Sequence, residues 1–265
     1  MKRFPTFLVL AGFILLLGCA KDNDPDTINE PDIDKSANLL ATGDSAHDIL
    51  ANTNYTDLLI EVAYVEGFRP TLVAMDNFAA FLQARTFKQN ISIQYLGLPS
   101  PGEETLTLQE VADLEMDNRT AYNEGNTLAI YIYFADAPSD GDDEQQGLVT
   151  LGAVYRNTSM VIHESTVREI AGRSALITIA DVEEAALSHE LGHLIGLVNL
   201  GSPAVNSHED AQSNNHCDVN ECLMRAEIEF GSGLMGILES RAGKGQAIPD
   251  LDSECLLDLQ ANGGR

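Results

Sequence analysis

The residues with the clearest capacity for chemistry are His189, Glu190 and His193, in the segment HELGH. On a helix, side chains four residues apart lie one turn from each other on one face, so the two imidazoles can bind one metal ion together. In such sites neutral imidazoles hold zinc, the metal lowers the pKa of a bound water to about 7, and the glutamate takes its proton as the water attacks a carbonyl. The spacing predicts a zinc-dependent hydrolase with Glu190 as its general base.

The segment around the motif, ITIADVEEAALSHELGHLIGL, predicts the helix that must carry it. Asp181 is followed three residues later by Glu184, which predicts an N-cap box at Asp181. Apolar residues surround the histidines through Leu197, so we expect a central, buried helix.

A third zinc ligand is needed, and the sequence offers several residues downstream of His193. Asn199 has a neutral amide oxygen, which is a poor zinc ligand beside imidazole. His216 and His208 are both in reach by a loop, and His216 is preferred because of the residues beside it. Glu209 as the third ligand would resemble the gluzincins, which place a glutamate ligand on a following helix, whereas Pro203 and many Asn and Ser residues indicate a loop here.

Two stretches carry a resemblance to a known family. HELGHLIG resembles the metzincin metalloproteases, whose pattern places a third histidine where this chain has Asn199. HCDVNECLM resembles the archaemetzincin segment in which the third histidine precedes a cysteine and a methionine forms the Met-turn. The resemblance implies that His216 is the third ligand, carried along the chain by an insertion, and that Met224 forms the Met-turn. It also implies an α+β, zincin-like fold: a mixed twisted sheet over an active-site helix.

The cysteines are interpreted through the same resemblance. Archaemetzincins carry a CxxC motif further on for a second zinc, and this chain has none after Met224. In an oxidising compartment, Cys217 and Cys222 are therefore predicted to form a disulfide that pins the loop, which leaves Cys255 as a free thiol.

The N-terminus MKRFPTFLVLAGFILLLGCAKDND resembles a bacterial lipoprotein signal peptide, with basic residues, a short apolar run and a lipobox ending at Cys19. We expect removal of residues 1–18, lipidation of Cys19, an acidic tether over residues 19–54, and a metzincin-like metalloprotease domain over residues 55–265. The protein would lie in the bacterial cell envelope, lipid-anchored to a membrane on the periplasmic face or at the cell surface.

Charge and element order complete the expectations. The formal net charge of −26 argues against nucleic acid as a partner, because phosphates would be repelled. Strands and helices alternate from residue 55, and His163 is interpreted as structural. The family resemblance implies that LVTLGAVYRN or TSMVIHEST forms the rim of a cleft that binds peptides by strand addition.

The leading hypothesis is a zinc metallopeptidase that acts on peptides or proteins, with Zn²⁺ as cofactor. A catalytically inactive surface binding module on a metalloprotease scaffold is the alternative, because Asn199 stands where a ligand is expected. A zinc hydrolase of other substrates is a third, since HExxH supplies the water but not the pocket.

Overall fold

The folded part of the chain begins earlier than the sequence predicts. A computed structural model describes residues 33–143, 149–229, 231–244 and 248–265. One compact unit runs from Asp34 to Arg265. Ile49 and Leu50 are fully buried in it, so residues 34–54 belong to the folded unit and not to a tether. The predicted leader 1–18 and lipid site Cys19 lie outside the described residues.

The described elements are five strands, eight α-helices and a short 3-10 helix at Ser36–Asn38. In chain order they are α1 (Ala46–Leu50), β1 (Asp57–Val65), α2 (Leu72–Arg85), β2 (Asn90–Leu98), α3 (Leu108–Asn118), β3 (Thr127–Ala135), β4 (Gly152–Arg156), β5 (Ser159–His163), α4 (Glu164–Ala171), α5 (Ile179–Leu194), α6 (Ala226–Glu229), α7 (Gly231–Ala242) and α8 (Ser253–Ala261).

The five strands form one mixed sheet in the order β2-β1-β3-β5-β4. The first four are parallel, and β4 pairs antiparallel with β5 at the edge. The prediction of a mixed sheet is confirmed. Strand β3, TLAIYIYFA, is apolar along its whole length because central parallel strands are covered on both faces.

The two faces of the sheet pack into two separate cores. Ile130 and Ile132 point into the larger core, which also contains the apolar side of α5. Tyr131 and Tyr133 point into the smaller core, with Val111 of α3. This alternation follows from the two-residue period of a strand. Helices therefore cover both sides of the sheet.

Some elements differ from expectation. The chain turns into α4 at Glu164, within the segment TSMVIHEST that was expected to form a strand. His163 is buried with its Nδ1 2.9 Å from the carbonyl oxygen of Ala137, and we see no chemistry for it. Among the described residues, no helix combines the length and apolar character needed to cross a bilayer.

Candidate metal centre

Helix α5 fixes the first three residues of the site. It begins at Ile179 and is capped by Thr178, whose side chain accepts a hydrogen bond from the N–H of Asp181. Asp181 is thus the third residue of the helix, and its carboxylate accepts a hydrogen bond from the N–H of Thr178. The N-cap predicted at Asp181 therefore lies three residues earlier, at Thr178. The helix ends at Leu194, and Gly196 turns the chain away at a φ of 79°, a conformation that favours glycine.

The end of α5 that carries the motif is embedded in the core. His189, Glu190 and His193 expose 0%, 1% and 5% of their surface. Leu187 and Leu191, also buried, each stabilise this arrangement by about 1.5–3 kcal/mol. These three residues are therefore held by a packed helix.

His216 joins this pair from the loop that follows α5. Its ring centroid lies 5.3 Å from that of His189 and 5.1 Å from that of His193. The centroids of His189 and His193 are 4.8 Å apart, and their Nε2 atoms 3.1 Å apart. The structure thus brings together the three histidines that the sequence predicts as ligands.

Backbone carbonyls fix which ring nitrogens carry protons. His189 Nδ1 lies 2.8 Å from the carbonyl oxygen of Leu223, and His216 Nδ1 lies 2.9 Å from that of Asn214. A carbonyl can only accept, so in both rings Nδ1 donates and Nε2 keeps its lone pair. Two lone pairs therefore point into the cluster, which is the tautomer that binds a metal through Nε2.

The two motif histidines of α5 are neutral at physiological pH. Burial lowers the pKa of His189 to about 4. Burial, with the neighbouring His189 and His216, also places the pKa of His193 well below its usual range. Neutral imidazole is the form that binds zinc.

A fourth group, Glu229 at the end of α6, completes the cluster. Its Oε2 lies 2.7 Å from Nε2 of His216. One donor atom from each of the four residues lies within 4.8 Å of the other three. Three imidazoles and a carboxylate suit zinc, so the residues present fit the metal. Sequence analysis missed Glu229, because it lies in a stretch with no recognised pattern.

Glu190 faces the edge strand. A Cβ atom at Gly152, the first residue of β4, would lie 2.8 Å from Cγ of Glu190. Burial, with the charge of Glu229, raises the pKa of Glu190 well above its usual range. Its Oε1 has no hydrogen-bond partner among the described residues. A buried carboxyl oxygen without a partner is costly, which marks this atom as one that binds something further.

Met224 packs directly on the motif helix. A Cβ atom at Gly192 would lie 2.1 Å from the Met224 sulfur, so the glycine between the two motif histidines makes room for this side chain. Met224 is fully buried, and its carbonyl accepts a 2.7 Å hydrogen bond from the N–H of Cys217. That bond ties the segment carrying His216 to the segment carrying Met224.

The other ligand candidates lie apart from this cluster. Asn199 donates a 2.7 Å hydrogen bond to Glu209, and Glu209 also accepts one from the N–H of Asn215. These two residues therefore fix the loop ahead of His216. His208 lies with its Nε2 2.9 Å from a carboxylate oxygen of Asp258, in a second cluster.

That second cluster contains the cysteines and corrects the disulfide prediction. Cys217, Cys222 and Cys255 are all free and buried. Cys222 Sγ lies 3.6 Å from Cys255 Sγ, while Cys217 Sγ lies 3.3 Å from Nδ1 of His208. The predicted Cys217–Cys222 bond is absent because α8 brings Cys255 beside Cys222 and Asp252 beside Cys217.

The thiols form a group with metal-binding chemistry. His208, Cys217, Asp252 and Cys255 each offer a donor atom within 4.8 Å of the others. Hydrogen bonding among the three thiols lowers the pKa of Cys222 and raises the pKa values of Cys217 and Cys255. Two cysteines with one imidazole and a carboxylate make up a donor set that suits zinc. Two of these residues, Asp252 and Cys255, lie at the start of α8.

Comparisons with known proteins give a loose structural likeness. No protein-family profile matches the sequence, and no curated protein matches it. Among solved structures, the crystal structure of the archaemetzincin from Methanopyrus kandleri resembles this chain with a TM-score of 0.46 and 15% sequence identity. The likeness covers 79% of this chain and 96% of that one. A function for this chain therefore has to be inferred from its own residues.

Proposed function

We propose that this protein is a zinc-dependent peptidase with a metzincin-like site. The observation that carries the proposal is the convergence of His189, His193 and His216 beside the buried carboxyl of Glu190. These histidines would hold the metal, and Met224, packed against Gly192, would form the Met-turn. When bound, zinc lowers the pKa of a water molecule and polarises the substrate carbonyl.

Glu190 does the proton transfer in this proposal. Its Oε1 is buried and has no other partner among the described residues, so the proton taken from water has a place to reside. A raised pKa in a water-poor site suits a group that takes a proton and later delivers it to the leaving amine. His189 and His216, whose Nδ1 protons are held by carbonyls, stay fixed as ligands throughout.

The edge strand β4 offers a place for the substrate. It is the outer strand beyond β5, and its first residue, Gly152, touches Glu190. An extended peptide that pairs with β4 would therefore run past the proposed base. Main-chain hydrogen bonds would supply the affinity, and they favour peptides over other hydrolysable substrates.

The test replaces Glu190 by alanine in the purified full-length protein. Zinc content should remain, while cleavage of a mixed peptide library, followed by mass spectrometry, should fall by about 10²–10⁴-fold. Glu184→Ala is the matched control, because Glu184 lies on the same helix but bonds to Asn77, away from the site. Undiminished cleavage by Glu190→Ala would refute the assigned role.

A second candidate is a surface binding module without peptidase activity. It is favoured by the low exposure of the site, since even His216 exposes 8% of its surface. This function predicts bound zinc without cleavage of any peptide in the library. The same assay on the wild-type protein therefore separates the two candidates.

We also propose that the protein is attached to a membrane of the bacterial cell envelope by a lipid at Cys19. The support is the lipobox-like sequence alone. Labelled palmitate should enter the wild-type protein in cells and should not enter Cys19→Ser. Equal labelling of both proteins would contradict the proposal.

A further inference from the structure

We infer that Glu229 is the protein's own fourth ligand to the metal, and that its carboxylate keeps the enzyme latent by taking the position a catalytic water needs. This inference rests on the proposed zinc site. Structural zinc sites have four protein ligands, whereas catalytic sites have three and an open position. A carboxylate from the chain itself would fill the open position of a catalytic site, which would then resemble a structural site.

Glu229 and His216 direct electron-pair donors at the same point. The Nδ1 proton of His216 is committed to the carbonyl of Asn214, so Nε2 presents a lone pair to a carboxylate oxygen 2.7 Å away. A metal ion among the donor atoms of the cluster, which lie within 4.8 Å of one another, could accept an electron pair from each of these two atoms.

The charge of Glu229 is directed into the cluster. Among the described residues, Glu229 makes a close contact with His216, and its side chain is 18% exposed. Glu227, two residues earlier, is instead paired with Arg225 at 2.6 Å and is 43% exposed. The two glutamates therefore differ in their surroundings. Glu227 is paired with an arginine near the surface, whereas Glu229 lies beside the histidines.

The backbone holds Glu229 in this place. Ile228 is fully buried, which anchors α6. The carbonyl of Glu229 accepts a 3.0 Å hydrogen bond from the N–H of Leu151, the residue just ahead of β4. The carboxylate is therefore tethered to the start of the strand proposed to bind substrate. Displacing it requires a movement of a four-residue helix.

The experiment compares Glu229→Gln with Glu227→Gln as the matched control, using Co²⁺ in place of zinc. The visible absorption of bound Co²⁺ reports its ligands, so the spectrum should change in Glu229→Gln and stay as in wild type in Glu227→Gln. The zinc dissociation constant should rise by about 10–100-fold in the Glu229 variant. Peptide cleavage at saturating zinc should increase by about tenfold or more, because the blocked fraction becomes competent.

The spectrum does not depend on cleavage, so it tests Glu229 even if the protein hydrolyses nothing and the proposed function fails. An unchanged Co²⁺ spectrum and zinc affinity in Glu229→Gln would overturn the ligand assignment. A changed spectrum with cleavage no faster than wild type, in a wild-type protein that does cleave, would overturn the latency. Glu229→Asp, which retracts the carboxylate by one methylene, should show the same spectral change if the glutamine variant misfolds.

Discussion

Replacing Gly192 by alanine adds one methyl group where helix α5 meets Met224. The new Cβ would lie 2.1 Å from the Met224 sulfur and 2.8 Å from its Cε, whereas non-bonded atoms of this kind prefer about 3.5–4.0 Å. Met224 is fully buried, so its side chain has to move within a close-packed core. We expect a steric cost near the upper end of the range for overpacking, about 3 kcal/mol.

A gain in helix propensity opposes this cost. Alanine is favoured over glycine in a helix interior by about 1 kcal/mol. The net prediction is that Gly192→Ala lowers the free energy of unfolding by about 2 kcal/mol. In a Met224→Ala background the overlap disappears, and Gly192→Ala should then stabilise the protein by about 1 kcal/mol. The coupling between the two positions is thus about 3 kcal/mol.

The coupling is measured on wild type, Gly192→Ala, Met224→Ala and the double variant. Urea denaturation of each protein, followed by circular dichroism in the presence of a chelator, excludes a contribution from metal binding. Gly236→Ala is the control, because Gly236 lies on helix α7 with nothing within 4 Å of the new Cβ, and it should be stabilising by up to about 1 kcal/mol. A Gly192→Ala protein as stable as wild type, with coupling below about 0.5 kcal/mol, would show that Gly192 is not there to admit Met224.

Three further predictions concern the frame around the site. Burial, followed by the charge of Glu183, raises the pKa of Glu164 from 4.5 to about 8. The protonated carboxyl therefore contributes to the free energy of unfolding fully below pH 4.5, and this contribution is lost as the pH rises through about 8. The loss is at most about 5 kcal/mol. Glu164→Gln should flatten this decline in denaturation curves at pH 5 and 8, and an equally steep decline would contradict it. Thr178→Ala removes the cap of α5 and should cost about 1 kcal/mol by urea denaturation; no loss would show that the capping box is dispensable. In protein denatured without reductant, Cys217 and Cys222 should react as free thiols with a thiol reagent. A peptide cross-linked between Cys217 and Cys222, found by mass spectrometry, would contradict this prediction.

The parts of the fold that local pattern determines were predictable. Helix α5 is apolar over its buried turns and is followed by a turn at Gly196, so its existence and burial follow from sequence, although its N-cap lies three residues before the predicted one. The strands β1 and β3 are long apolar runs between turn residues. These elements depend on propensity and periodicity, which a single sequence displays.

The parts that depend on tertiary packing were not predictable. Cys222 meets Cys255, 33 residues later in the chain, and no spacing rule encodes a contact made by the docking of α8. Residues 34–54 are polar overall and resemble a tether, yet Ile49 and Leu50 fill the core. Glu229 was unpredictable for the same reason. Nothing in its local sequence indicates a metal ligand, and only the fold places it beside the histidines.

The most direct test of the central claim is a crystal structure of the zinc-soaked protein with anomalous data collected at the zinc edge. We predict an anomalous peak about 2.0–2.1 Å from Nε2 of His189, His193 and His216. A peak beside His208 and the cysteines would not contradict this, since that cluster has its own donors. A map with no peak among the three histidines, in crystals that contain zinc, would contradict it.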